Sequence, residues 1–283
     1  MNDNLDPAAW IGRREVADDV VSPIARDRFA ATIGGSSAIF AETMRNPLAC
    51  WLFFLPCAAQ SDLGNDGHPR KGGFLPPLKL PRRMWAGSSL RFHAPLENGR
   101  KISRTSTIAN VQNKEGRSGR LAFVTIDHEI RARTGLLVSE QQTIVYRDHP
   151  RTEPSAVAAV PPTIRPDRHD WTVRIVPDSA LLMRYSALTF NAHKIHYDRG
   201  YATAVEGYPG LVVHGPLLAT LLMNLYLVEN PSADVVAFDF KAVAPIFDTA
   251  PFGLYGARTN DGAKLWATDA AGSVCLRATV WAR

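Results

Sequence analysis

The chain has 283 residues, 46% of them hydrophobic, which is enough to bury a full core in one large domain or two smaller ones and excludes a disordered polymer. Its formal net charge is +5, but the basic residues are scattered, gathering only in short clusters such as "HPRK" at 68–71 and "PRR" at 81–83, so no nucleic-acid partner is expected. No apolar run reaches the roughly 18 to 20 residues that cross a bilayer, and "MNDNLDPAAW" carries Asp3 and Asp6 where a signal peptide needs basic residues, so a cytoplasmic chain without a membrane partner is expected, its Cys50, Cys57 and Cys275 reduced packing residues with no zinc or redox spacing.

In chain order, "SPIARDRFAATIG" (22–34) predicts a first helix, with Ser22 as N-cap and Pro23 at the first helical position. The segment "SDLGNDGHPRKGGFLPPLKLPRRMWAG" that follows predicts a shaped loop, because it holds the Gly72-Gly73 pair and four prolines; Lys71, Arg82 and Arg83 are its cations for phosphate or carboxylate. Residues 88–130 read as one strand ending at Pro95, a second from Ile102, a turn at "KEGRSG" and a third strand. Between Asp148 and Arg168 five prolines and no periodicity mark a connector that divides the chain into units 1–150 and 151–283.

The second unit repeats the order of the first. "PDSALLMRYSALTF" (177–190) predicts a helix capped by Asp178, and "HGPLLATLLMNLYL" (214–227) predicts a helix apolar on nearly every face and therefore buried. Strands are expected from Phe252, over 264–268 and over 273–281, with a turn at "TNDG". The shared order points to a duplicated α+β unit whose two antiparallel sheets pair into one, each wrapping a helix in the hot-dog arrangement.

The chemistry concentrates in "YSALTFNAHKIHYD" (185–198), which places Asn191, His193, His196 and Asp198 within eight positions. With "VVHGPLL", "WIGRREVADDVVSP" and the Gly/Pro-rich loop, this run resembles the MaoC-like double hot-dog hydratases and dehydratases, nearest their mesaconyl-C4-CoA or itaconyl-CoA hydratase and 3-hydroxyacyl-thioester dehydratase branch. The family loop A-A-L-S-G-D-F-N-P-L-H-L-D, laid without gaps on "SALTFNAHKIHYD", puts the family His on His196, its catalytic Asp on Asn191 and its Asn on His193. An amide cannot take a proton, so the acid/base work of that Asp is expected to fall on His196, helped by His193, with Asn191 orienting water or fixing the tautomer of His196.

The resemblance implies a double hot-dog α+β fold and a hydro-lyase that reversibly adds water to a 2-enoyl-CoA, on a short branched C5 dicarboxylyl-CoA or, alternatively, as a 3-hydroxyacyl-thioester dehydratase on longer chains. Catalytic residues are then His196, Asn191 and Gly215, the last giving an oxyanion donor at a helix start; substrate contacts are His193, Tyr185, His214, Arg82 and Arg83. No metal and no cofactor are expected, coenzyme A being part of the substrate. The first half, whose "AATIGGSSAIF" offers no equivalent acid and His, is expected to be catalytically silent and to bind CoA or the acyl chain. A homodimer of double hot-dog chains, a thioesterase and a non-catalytic acyl-CoA binder stay open as readings.

Overall fold

The computed structural model describes residues 7–33, 45–116, 119–148 and 168–283; the connector expected over 149–167 and most of "AATIGGSSAIF" lie outside the described residues. The first half contributes β1 (Arg14–Val20), α1 (Pro23–Ile33), β2 (Arg82–Phe92), β3 (Lys101–Gly116), β4 (Gly119–Ala132) and β5 (Gly135–Arg147). The second contributes β6 (Trp171–Ile175), α2 (Ser179–Leu188), α3 (Gly215–Glu229), β7 (Val235–Ala242), β8 (Phe252–Thr259), β9 (Gly262–Thr268) and β10 (Val274–Ala282).

These strands form one sheet in the order β1-β3-β4-β5-β2-β7-β10-β9-β8-β6, antiparallel throughout. Read from the outer edges inward, the first half runs β1-β3-β4-β5-β2 and the second β6-β8-β9-β10-β7. The duplication expected from the order of the elements is therefore a duplication of sheet topology, and the copies meet at β2 and β7. The opening strands β1 and β6 add an element to each half that the sequence reading did not anticipate.

Local chemistry sets the helix starts. The Ser22 hydroxyl accepts from Ala25 N at 3.3 Å, and the Asp178 carboxylate accepts from Leu181 N at 2.7 Å, each satisfying an amide that a helix's first turn leaves without a partner. Helix α3 has no polar face to turn to water: every residue from Leu217 to Leu227 is buried, and it packs against β6, β8, β9 and β10. Its one amide, Asn224, is satisfied from the other half, where Asn46 Nδ2 donates to Asn224 Oδ1 at 2.6 Å and to Thr220 O at 3.1 Å. In the first half the described residues hold no long helix of this kind. The 3-10 turn Pro47–Leu52 packs Leu48, Ala49, Cys50 and Leu52 into the core, and a cleft opens beside it. Cys57 is exposed instead of packed, and all three cysteines are free.

At the β2–β7 seam the backbones approach so closely that a Cβ on Gly87 would lie 2.3 Å from the carbonyl oxygen of Phe240. We expect Gly87→Ala to cost about 1 to 3 kcal/mol through this overpacking, whereas Gly73→Ala, which meets nothing within 4 Å, changes stability by less than about 0.5 kcal/mol. Urea denaturation midpoints of the two variants check this, and equal midpoints would mean that the seam yields.

Candidate active site

The site forms where the chain reverses after α2. Phe190 takes a φ of 48°, an unusual value for a residue with a side chain, and Asn191 N donates back to Ser186 O at 2.8 Å. The Asn191 side chain then accepts from His193 N at 3.0 Å, which starts the single 3-10 turn Lys194–His196. That turn is stitched to the entrance of α3 by Val212 N donating to Ile195 O at 3.0 Å.

His196 is buried, and its Nδ1–H donates to the carbonyl of Val212 at 2.7 Å. The bond fixes its tautomer, leaving Nε2 unprotonated and without a partner among the described residues. Val212, not Asn191, therefore sets that tautomer; Asn191 shapes the turn that carries His193. The His196 ring stacks at 3.6 Å and 17° on His214, the N-cap residue of α3, whose Nε2 pairs with the Ser186 hydroxyl at 2.9 Å. Tyr185 is buried edge-on behind His214, with ring centroids 5.0 Å apart.

Beside this stack the α3 N-terminus opens to the cleft. Gly215 lines it as the first helical residue, and its N–H belongs to the first turn, which has no intrahelical acceptors. An added Cβ would meet only Trp85 O at 3.9 Å, so packing does not demand glycine here.

His193 stands perpendicular to His196 with centroids 5.4 Å apart, and on its other side lies His68, 4.0 Å away. His68 comes from the Gly/Pro-rich loop of the half expected to be silent. Its Nδ1 faces the Asp66 carboxylate at 3.2 Å, and Asp66 O accepts from Lys194 N at 2.9 Å, tying the loop to the His196 turn. Asp66, His68 and His193 each offer one donor atom within 4.8 Å of the others, a spacing that would admit a cation, and Asp66 and His68 are also hydrogen-bonded to each other. Sequence reasoning placed His68 only in a basic cluster and passed over Asp66. The available signal was an Asp-Gly-His step in a loop of a chain whose motif lacks its carboxylate.

Arg82 is placed in an ion pair, Nε to Glu206 Oε2 at 2.8 Å, with both side chains at least nine-tenths buried and its guanidinium over the Tyr208 ring. It ties β2 to the segment after the π-helical turn Tyr201–Val205 and has no charge to spare for a ligand. Arg83 lines the same cleft, makes no ion pair among the described residues, and its charge bears on both His68 and His193. Asp198 accepts from Tyr201 N at 2.9 Å as a turn cap, and Lys71 donates to the carbonyls of Leu78 and Leu80.

Burial lowers the pKa of His196 to about 4, partly offset by its bond to Val212; burial and the neighbouring imidazoles His68 and His196 lower His193 to about 2, and burial pushes His214 well down. All three are neutral at neutral pH. Burial opposes ionisation of Asp66, but the bond to His68 outweighs it and holds the carboxyl well below its usual range.

The family model for hydroxyacyl-thioester dehydratase type 2 matches residues 49–248. Mesaconyl-C(4)-CoA hydratase of Chloroflexus aurantiacus is 48% identical over 280 residues, covering 98% of this chain and 98% of that protein. Among solved structures, a MaoC-like dehydratase from Phytophthora capsici superposes with a TM-score of 0.68 at 14% identity over 95% of this chain and 96% of its own. A Mycobacterium tuberculosis protein described as having a double hot-dog fold superposes with 0.56 at 15% identity, covering 96% of each chain. At these identities the structures speak to the fold, and they bear out the double hot-dog. Among the described residues no helix is long and apolar enough to cross a membrane.

A histidine kept neutral by the fold binds fewer protons folded than unfolded, so its contribution is complete above the unfolded pKa near 6.5 and is lost as pH falls toward the folded value of about 4. We expect His196 to contribute up to about 1.4 kcal/mol of destabilisation per pH unit below 6.5. Urea titrations between pH 7 and 5 should show a shallower slope for His196→Gln than for the wild type; parallel slopes would mean that His196 protonates freely in the folded protein.

Proposed function

Because the chain belongs to the hydroxyacyl-thioester dehydratase type 2 family, we propose that it is an acyl-CoA hydro-lyase that reversibly adds water across the double bond of a short branched C5 dicarboxylyl-CoA such as mesaconyl-C4-CoA. The near-full-length likeness to mesaconyl-C(4)-CoA hydratase carries this reading. The site's geometry supports it: an unprotonated imidazole nitrogen and a helix N-terminus face one cleft, and hydration of an enoyl thioester requires that pairing.

In this reading His196 Nε2 accepts a hydrogen bond from the attacking water and aims its oxygen at the β-carbon. As the C–O bond forms, the π electrons move toward the thioester oxygen, where the Gly215 N–H and the start of the α3 dipole receive the charge. Protonation at the α-carbon completes the addition. Asn191 holds His193 in place through the turn, and the stacked His214 and Tyr185 keep the His196 ring from rotating. Coenzyme A enters as part of the substrate, and the reaction calls for no further cofactor.

A C5 dicarboxylyl thioester also brings a free carboxylate close to the reacting double bond. Lys71 is tied to two carbonyls and Arg82 is neutralised by Glu206, while Arg184 on α2 is exposed and outside the cleft and Lys194 lies over the Tyr201 ring. Arg83 is left, and it stands beside His68 and His193 with no partner charge; we assign it the distal carboxylate.

Hydration is followed as loss of the conjugated thioester absorbance. His196→Ala should lower kcat by at least about 10²-fold. Arg83→Met should lose the about 1.5 to 3 kcal/mol of a hydrogen bond to a charged group, raising KM for mesaconyl-C4-CoA about 10- to 100-fold while leaving crotonyl-CoA nearly unaffected. An Arg83→Met enzyme weakened equally on both substrates would remove the carboxylate assignment, and a fully active His196→Ala would remove the mechanism.

A further inference from the structure

We infer that His68, oriented by Asp66, is a second catalytic acid/base of this site: a carboxylate–imidazole dyad supplied by the first half in place of the carboxylate that the second half lacks at Asn191. The inference rests on the hydratase reading and extends it by naming where the proton of the attacking water goes.

The dyad is built into the fold. The loop that carries it closes on itself, with Gly64 N donating to His68 O at 2.7 Å, Arg70 N to Asp62 O at 2.8 Å, and a bridge between Leu63 and Pro69. It is then pressed against the catalytic turn: a Cβ on Gly67, whose φ is +88°, would lie 1.8 Å from Ala192 O, so only glycine allows the two backbones to meet there. Asp66 uses one carboxylate oxygen for His68 N at 3.0 Å and the other for His68 Nδ1 at 3.2 Å, while its carbonyl takes Lys194 N. Both the ring and its tautomer are thereby fixed, with Nδ1–H on the carboxylate and Nε2 left as a lone pair without a partner. His68 and His196 both line the cleft, with His193 between them.

The charges facing His68 are Asp66, Arg83 and Lys71. Asp66 is the one carboxylate in hydrogen-bond contact with any of these four rings among the described residues. A proton taken from water creates an imidazolium; burial lowers the pKa of His68, so that charge is transient, and Asp66 offsets part of its cost. His196, bonded to a neutral carbonyl, has no such partner. In this mechanism His196 Nε2 orients the water and His68 Nε2 takes its proton. The O–H bond breaks as the C–O bond to the β-carbon forms and the π pair moves onto the thioester; the proton on His68 Nε2 is then delivered to the α-carbon, forming the C–H bond and restoring the neutral ring. The dehydration direction is the reverse, and no electron or external proton is needed.

The test uses the full-length protein with mesaconyl-C4-CoA and crotonyl-CoA, comparing wild type, His68→Gln, His68→Ala and Asp66→Asn, with thermal melts to confirm folding. His68→Gln should lose about 10²- to 10³-fold in kcat with little change in KM. Asp66→Asn should lose less and move the acidic limb of the kcat profile, which a purely structural defect would not move. Added imidazole should restore part of the rate of His68→Ala, a rescue that stays available if the substitution loosens the loop. An active wild type with an equally active His68→Gln would overturn the inference and leave the hydratase reading standing. Wild type inactive on every enoyl-CoA offered would overturn both. A stoichiometric divalent metal retained by wild type and lost in Asp66→Asn would also overturn it, because the same donors would then serve an ion.

Discussion

A helix buried on every face cannot meet water along its length, and that constraint fixes the rest of the molecule. Helix α3 must be enclosed, so the sheet of the second half curves around it, and its N-terminus becomes the one place where its backbone amides meet the cleft. His214 caps this end, and because His196 stacks on His214 while bonding Val212 two residues upstream, the imidazole is positioned by the same segment that starts the helix. In the proposed mechanism, oxyanion donor and water-handling imidazole are thus held in register by one short stretch of backbone. Small errors elsewhere in the fold move the two together, leaving their separation intact.

The duplicated topology gives the second copy a different task. In the first half the described residues covering the concave face are a 3-10 turn where the second half has α3, and the cleft occupies the difference. Losing a buried helix would leave a sheet face wet, and the Trp51–Trp85 edge contact at 4.9 Å, with Phe240 from across the seam, closes part of it. The half-buried Glu140 is satisfied there by Trp51 Nε1 and the Ser88 hydroxyl. The seam itself demands a residue without a side chain at Gly87, so the joint between the copies is specified by backbone contact as well as by apolar burial.

Much of this was legible in the sequence because it is local. The cap at Asp178, the turn at "TNDG" and the burial of 217–227 each depend on residues within a few positions of one another, and each appears where the pattern put it. Strands β1 and β6 were not read because they are short edge strands: "REVADDV" spans seven residues with two adjacent aspartates, and its pairing partner lies about ninety residues away. The site divides in the same way. Asn191, His193 and His196 belong to one motif and were found together. The fate of Arg82 was hidden because its neutralising partner, Glu206, is brought to it only by the fold, and the two adjacent arginines of one strand cannot be told apart until one has been paired.

His68 shows why a half that lacks the motif need not lack the chemistry. What the motif loses at Asn191 is a carboxylate, and a carboxylate has no need to sit on the same turn as the imidazole it assists; it needs a rigid approach within hydrogen-bond distance. The Asp66 loop has that rigidity because Gly67 admits backbone contact with Ala192 and Lys194 N anchors Asp66 O. A carboxylate at position 191, on the turn that carries His193 and His196, would repel a dicarboxylyl substrate at the carbon that must react, whereas an amide there does not. In the proposed mechanism the exchange of Asp for Asn is therefore compatible with catalysis and suits an anionic acyl group, the proton-handling charge being supplied from across the cleft.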